Sequence, residues 1–119
     1  MKGLGELEAQ VMGVLWSADG ALSVRQVLET LPQDRHRAYT TVMTVLDNLH
    51  RKEFVRRERV GRAWHYLPVQ SRDLHVAGLM TDALDTGADR SAALLHFVEQ
   101  LPADELAQLK ALLDSPGMD

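Results

Sequence analysis

A chain of 119 residues has the length for one domain, or for a small domain with an appendage, and without cysteine it forms no disulfide, thiolate metal site or iron–sulfur cluster. With 45% hydrophobic and 25% charged residues it has the composition of an ordinary globular protein, and its longest apolar run, VMGVLW, is far too short to span a bilayer. The net charge of −4 is unevenly spread: ten Lys/Arg and eight Asp/Glu precede residue 71, and three and nine follow, leaving +2 on the first part and −6 on the second.

Residues 4–16 place Leu4, Leu7, Val11, Val14 and Leu15 at helical spacing until SADG breaks the pattern. Ser23 followed by Gln26 is a capping-box signature; Val24, Val27, Leu28 and Leu31 continue it as an apolar stripe, and Pro32 closes the helix. QDRHR is a polar connection. Between Thr40 and Val45 five of six residues are β-branched, which by propensity is a strand. Yet Val42, Val45, Leu46 and Leu49 fall at i, i+3, i+4 and i+7, which is one face of a helix, so the spacing predicts a helix over 38–52.

The period then changes. FVRRERVGRAWHYLPV reads as a β-hairpin over 54–59 and 62–68, with Gly61 at the turn and Pro68 at the end. Three helices followed by a hairpin fill about 70 residues, in the order of a helix-turn-helix with a two-stranded wing. Residues 71–119 hold three further helical patterns. Their stripes are Val76, Leu79, Met80, Ala83 and Leu84; then Leu94, Leu95, Phe97, Val98 and Leu101; then Leu106, Leu109, Leu112 and Leu113. Three short helices cannot bury so much apolar surface among themselves, so this segment is expected to need a partner. The fold class expected is mostly α: a winged helix-turn-helix followed by a three-helix domain.

On the wheel of helix 38–52 the face opposite Val42, Leu46 and Leu49 shows Thr40, Met43, Thr44, Asp47 and Arg51, with Thr41 beside them. The second helix of a helix-turn-helix lies in the major groove, and small hydroxylated residues allow close approach and bond to base edges. Thr40, Thr41, Met43, Thr44 and Asp47 are therefore the candidate base readers. Asp47 has two readings: an acceptor from cytosine N4, or an i,i+4 partner of Arg51, and the second is favoured. Arg51 and Lys52 at the helix end, with Arg57, Arg59 and Arg62 on the hairpin, are the candidate phosphate and wing contacts. Six basic residues against two acidic ones in 51–62 make a polyanion footprint on an otherwise acidic protein; the plainer reading is a solvated hairpin. Trp16, Tyr39, Trp64 and Tyr66 lack the arrangement of a stacking platform and are expected to pack in the core or at a hinge.

The stretches LGELEAQVMGVLW (4–16), SVRQVLETL (23–31), AYTTVMTVLDNLHRKEFVRRERVGRAWHYLPV (38–69) and LLHFVEQLPADELAQLKALL (94–113) resemble the BlaI/MecI penicillinase-repressor family, in order and over nearly the whole chain. The resemblance implies a homodimeric bacterial repressor that binds inverted-repeat operators with TAC/GTA-type half-sites. Residues 1–70 would then be a winged-helix DNA-binding domain, and residues 71–119 would dimerise, through Leu79, Met80, Leu84, Leu94, Leu95, Phe97, Val98, Leu106, Leu109 and Leu113. It also implies derepression by proteolysis between His96 and Phe97, triggered by a membrane sensor protease. The family often carries Asn where His96 stands, Arg where Asn48 stands and Gly where Glu53 stands. The last difference removes the easiest left-handed helix end. The copper-responsive CopY branch has C-terminal cysteine pairs, which this chain lacks.

Other functions find little support. No nucleophile motif, H-E-x-x-H pair or Gly-rich phosphate loop is present, so no catalytic residue is assigned and no cofactor is expected. His65, His75 and Asp73 are conceivable metal ligands, but ordinary surface histidines are the better reading and no metal residue is assigned. The alternative regulator is a MarR- or PadR-type winged helix that responds directly to a small ligand. Glutamates near the N-terminus, where a signal sequence would be apolar, set the expectation of a cytoplasmic protein without stable membrane association.

Overall fold

The computed structural model describes residues 4–32 and 37–115. The order of elements is α1 (Glu6–Ser17), β1 (Leu22–Ser23), α2 (Val24–Thr30), α3 (Tyr39–Arg51), β2 (Val55–Val60), β3 (Ala63–Pro68), α4 (Arg72–Asp85), α5 (Arg90–Gln100) and α6 (Ala103–Asp114). The expected connection at 33–37 lies mostly outside the described residues. The contacts divide the chain into two compact units that meet inside α4, between Leu79 and Met80, rather than ahead of it at residue 70.

Three helices and a small sheet enclose the core of the first unit. Val11, Met12 and Leu15 come from α1, Val24 and Val27 from α2, with Leu31 just beyond it, and Val42, Leu46 and Leu49 from α3; Val55 and Tyr66 close it from the sheet. The β-branched run of α3 is thus helical against its propensity. Each β-branched residue costs up to about 0.7 kcal/mol relative to Ala in a helix. Fully burying one Val or Leu side chain returns roughly 1.5–3 kcal/mol. Val42, Leu46 and Leu49 are all at 0% exposure, so three burials outweigh five penalties.

The capping box forms as expected. Ser23 Oγ accepts from Gln26 N at 3.2 Å, and Gln26 Oε1 accepts from Ser23 N at 2.9 Å. This cap has a consequence that the sequence did not disclose. An N-cap residue must be extended, and Ser23 is, at φ −75 and ψ 166. Leu22 and Ser23 therefore pair antiparallel with Tyr66 and His65 as a third strand, giving the order β1-β3-β2 in place of the expected two-stranded hairpin.

In the wing, β2 and β3 pair in register from Val55↔Pro68 to Val60↔Ala63, one residue later at each strand start than expected. Gly61 and Arg62 form the two-residue turn, and Gly61 takes φ 63, a left-handed conformation open to glycine at no steric cost. The end of α3 departs from that economy. Glu53 has φ 67, the left-handed position expected to favour glycine, and the helix nonetheless closes as a Schellman motif. Phe54 N donates to Leu49 O at 2.9 Å, and Glu53 N donates to His50 O at 3.1 Å. The turn into the wing is kept, at the cost of strain on Glu53.

Where β3 leads into α4, Trp16 Nε1 donates to Gln70 O at 2.9 Å. His75 sits at 6% exposure with its ring 5.2 Å from Trp16 and 5.7 Å from Phe54, so it is a packed residue and not the surface histidine expected.

The second unit has a different character. No described residue of α5 or α6 is buried, and α5 leaves Leu94, Leu95 and Phe97 at 45%, 58% and 45% exposure. Met80, Ala83 and Leu84 of α4 face Ala93, Leu94 and Phe97 of α5 across an apolar hollow of about 340 Å³.

Candidate nucleic-acid interface

Helix α3 presents Thr40, Thr41, Met43, Thr44 and Asp47 on its exposed face, with Arg51 and Lys52 at its end. All five candidate base readers thus share one accessible surface, because burial of Val42, Leu46 and Leu49 fixes the rotation of the helix. The alternation of β2 places Arg57 and Arg59 on the sheet face that also carries Tyr66 and Trp64, while Arg56 and Glu58 take the other face. Arg62 is exposed at the wing turn.

The charges pair differently from the expectation. Asp47 does not hold Arg51; its Oδ1 meets Arg57 Nη1 of the wing at 3.4 Å, and Arg51 donates instead to Asn48 Oδ1 on its own helix. The reason is geometric. Asp47 points toward the wing side of α3, and Arg57 is half-buried there with its guanidinium 4.4 Å from the centre of the Trp64 ring. The carboxylate on the exposed face of α3 is therefore paired from a second element.

Lys52 is also engaged. Its Nζ lies 2.8 Å from Glu8 Oε2, tying the end of α3 to the start of α1. Glu8 accepts from Gly5 N at 3.0 Å through its other oxygen. The hydrogen bond from Lys52, helped by that from Gly5, holds the Glu8 carboxyl below its ordinary 4.5.

Two aromatic residues expected in the core or at a hinge stand on this surface instead. Trp64 is 38% exposed with Arg59 5.0 Å from its ring centre on top of the Arg57 contact, and Tyr39 is 43% exposed with Arg25 5.7 Å from its ring. Trp64 lies two residues nearer the wing turn than Tyr66 on the same face, and only Tyr66 is buried in the core. Between Arg25, Tyr39 and Met43 on one side and Ala63 and Trp64 on the other runs a groove of about 520 Å³. Arg25 carries no sequence signal for this surface, because it and Tyr39 belong to two different helix starts that only the fold brings together.

In the second unit His96 and Phe97 are both exposed near the middle of α5, and His96 Nδ1 lies 3.2 Å from Glu99 Oε1. Leu79, Met80, Leu94, Leu95, Phe97 and Leu113 are exposed, and Leu84, Val98, Leu106 and Leu109 half-buried. Among the described residues no group of three His, Asp or Glu side chains is placed to hold a metal ion, and no helix is long and apolar enough to cross a membrane.

Three core helices, a short antiparallel sheet and a basic wing beside an exposed α3 define a winged-helix fold. The chain belongs to the penicillinase repressor family, whose model matches residues 4–115. It is 51% identical over 113 residues to the transcriptional regulator BlaI of Mycobacterium tuberculosis, in two strains, covering 92% of this chain and 82% of that protein. Among solved structures it is similar in fold to MepR, a transcription regulator of the Staphylococcus aureus multidrug efflux pump MepA. The TM-score is 0.52 at 21% identity, over 92% of this chain and 75% of that one. A point mutant of MepR bound to an oligodeoxyribonucleotide gives the same TM-score at 22% identity with the same coverage.

Proposed function

We propose that this protein is a cytoplasmic homodimeric repressor that binds double-stranded operator DNA, with α3 in the major groove and the β2–β3 wing on the flanking backbone. The observation that carries the reading is the exposed face of α3, with its threonines, tied to the basic wing by the Asp47–Arg57 pair. Thr40, Thr41, Met43 and Thr44 read base edges, and Asp47 accepts from a cytosine amino group while Arg57 offsets its charge. Arg51, Lys52, Arg59 and Arg62 contact phosphates, Lys52 with the donors that Glu8 leaves free. The operator is an inverted repeat, because a two-fold dimer presents two copies of α3; its arms are of the TAC/GTA type that the family resemblance implies.

The apolar faces of α4, α5 and α6, which one chain leaves exposed or half-buried, form the dimer interface. Cleavage between His96 and Phe97 by a membrane sensor protease would cut α5 between residues of that interface, weaken the dimer and release the operator.

The experiment is selection of bound fragments from random-sequence duplex DNA, with the oligomeric state measured in the same preparation. Enrichment of an inverted repeat bound by a dimer is the expected result. No enriched sequence would overturn the reading. The paired change Arg59→Glu and Arg62→Glu should abolish binding of the selected duplex with the dimer intact. Unchanged binding would remove the wing from the interface.

A further inference from the structure

We infer that Trp64 is a positioning residue of the wing, a platform that holds Arg57 and Arg59 in the geometry in which they serve the DNA-binding surface. The inference rests on the DNA-binding reading above and assigns within it a residue that touches the duplex only through others.

Three observations converge on this indole. First, its place on β3 is fixed by register. Arg59 is its direct cross-strand partner, and Arg57 lies on the diagonal of the same face. Second, both guanidinium groups lie within reach of the ring, at 4.4 Å for Arg57 and 5.0 Å for Arg59, inside the range of a cation–π contact. Third, the ring is not needed to fill the core. It stands 38% exposed, whereas Tyr66 on the same face is 2% exposed.

Two arginines two residues apart on one face of a strand repel each other, and free in solvent they would swing apart. Here the indole attracts both, and Asp47 draws the nearer one toward α3. The two then divide the work. Arg57 bridges Trp64 and Asp47, so it links the wing to the reading helix and quenches the carboxylate that phosphate would otherwise repel. Arg59, exposed and with no carboxylate partner among the described contacts, is the cation presented to the duplex backbone. Ordering its long side chain before binding removes an entropy loss from the binding step.

The test compares three variants, Trp64→Phe, Trp64→Leu and Trp64→Ala, on the duplex that the wild-type protein selects. The readouts are affinity across a salt series and the melting temperature. Phe keeps a ring face; Leu keeps apolar bulk without one. The expected result is near wild-type binding for Phe and a loss of about tenfold for Leu and Ala, a cation–π contact of this kind being worth roughly a factor of three to thirty. The slope of log affinity against log salt should fall by about one for Leu and Ala, the value of one phosphate contact.

Because Trp64 acts through Arg59, adding Trp64→Leu to Arg59→Gln should cost less than the product of the two single losses. Equal binding by the Phe and Leu variants, or an unchanged salt slope in Leu, would overturn the inference, as would independent losses in the double variant. If the wild-type protein selects no duplex, the DNA-binding reading itself falls. A protein that selects a duplex and ignores these changes refutes only the role of Trp64.

Discussion

Glu53 offers the cleanest quantitative test of the geometry that joins α3 to the wing. It is a side-chain-bearing residue at φ 67, at the position after the α3 C-cap, where two backbone hydrogen bonds depend on the left-handed conformation. An L-residue pays roughly 1–2 kcal/mol for that conformation. Replacing it with glycine removes the strain but gives the unfolded chain extra freedom worth about 0.4–1 kcal/mol. The exposed carboxylate also sits beside the negative end of the helix dipole, and removing it adds a few tenths of a kcal/mol at most. Glu53→Gly should therefore stabilise the first unit by about 0.5–1 kcal/mol, a rise of roughly 2–8 °C in melting temperature for a domain of this size. Urea unfolding followed by the fluorescence of Trp16, which packs in the same unit, measures it. The order expected is Gly above Asn, with Ala close to Glu, because only glycine and to a lesser degree asparagine tolerate this region. A glycine variant less stable than the parent, or an alanine variant as stable as glycine, would refute the argument.

Other outcomes follow from the packing and the charges. Leu46→Ala, at a position with no exposure, should cost about 2–5 kcal/mol in urea unfolding and take DNA binding with it, since Leu46 orients the reading face. Glu8 has a carboxyl held below its ordinary 4.5 in the fold, so its contribution is present above that pH and lost as pH falls through the lower folded value. Glu8→Gln should thus destabilise by at most ~1 kcal/mol at neutral pH, Lys52 being over a third exposed, and the gap should close in acid; a gap that persists at about pH 3 would remove the ion pair as its cause. Leu94→Asp on the exposed apolar face of α5 should weaken self-association at least about tenfold by sedimentation while leaving the urea midpoint of the first unit unchanged. An unaltered dimer would move the interface off α5.

Much of this molecule is written in its sequence because much of it is periodic. Helix spacing of large aliphatics fixes which face of α3 is buried, and burial outweighs the β-branched propensity that points the other way. Two-residue alternation about Gly61 fixes the wing, and the Ser23–Gln26 box fixes the start of α2. The stripes of α4, α5 and α6 declare an apolar surface that the described chain covers only in part. These are local patterns, and each is read within a dozen residues.

What only the tertiary structure decided lies between such stretches. The third strand exists because an extended N-cap meets the open edge of β3. Asp47 pairs with Arg57 instead of Arg51 because the wing folds back within reach of the helix, a contact no helical wheel contains. Lys52 reaches Glu8 across 44 positions, and Trp64 stays partly exposed while Tyr66, on the same sheet face, is buried in the core. Glu53 keeps a glycine's conformation because core residues on both sides, Leu49 and Val55, hold the chain in that turn. Periodicity determines which face of an element is buried; the pairing of charges and rings depends on distances between elements, and those are set only when the core closes.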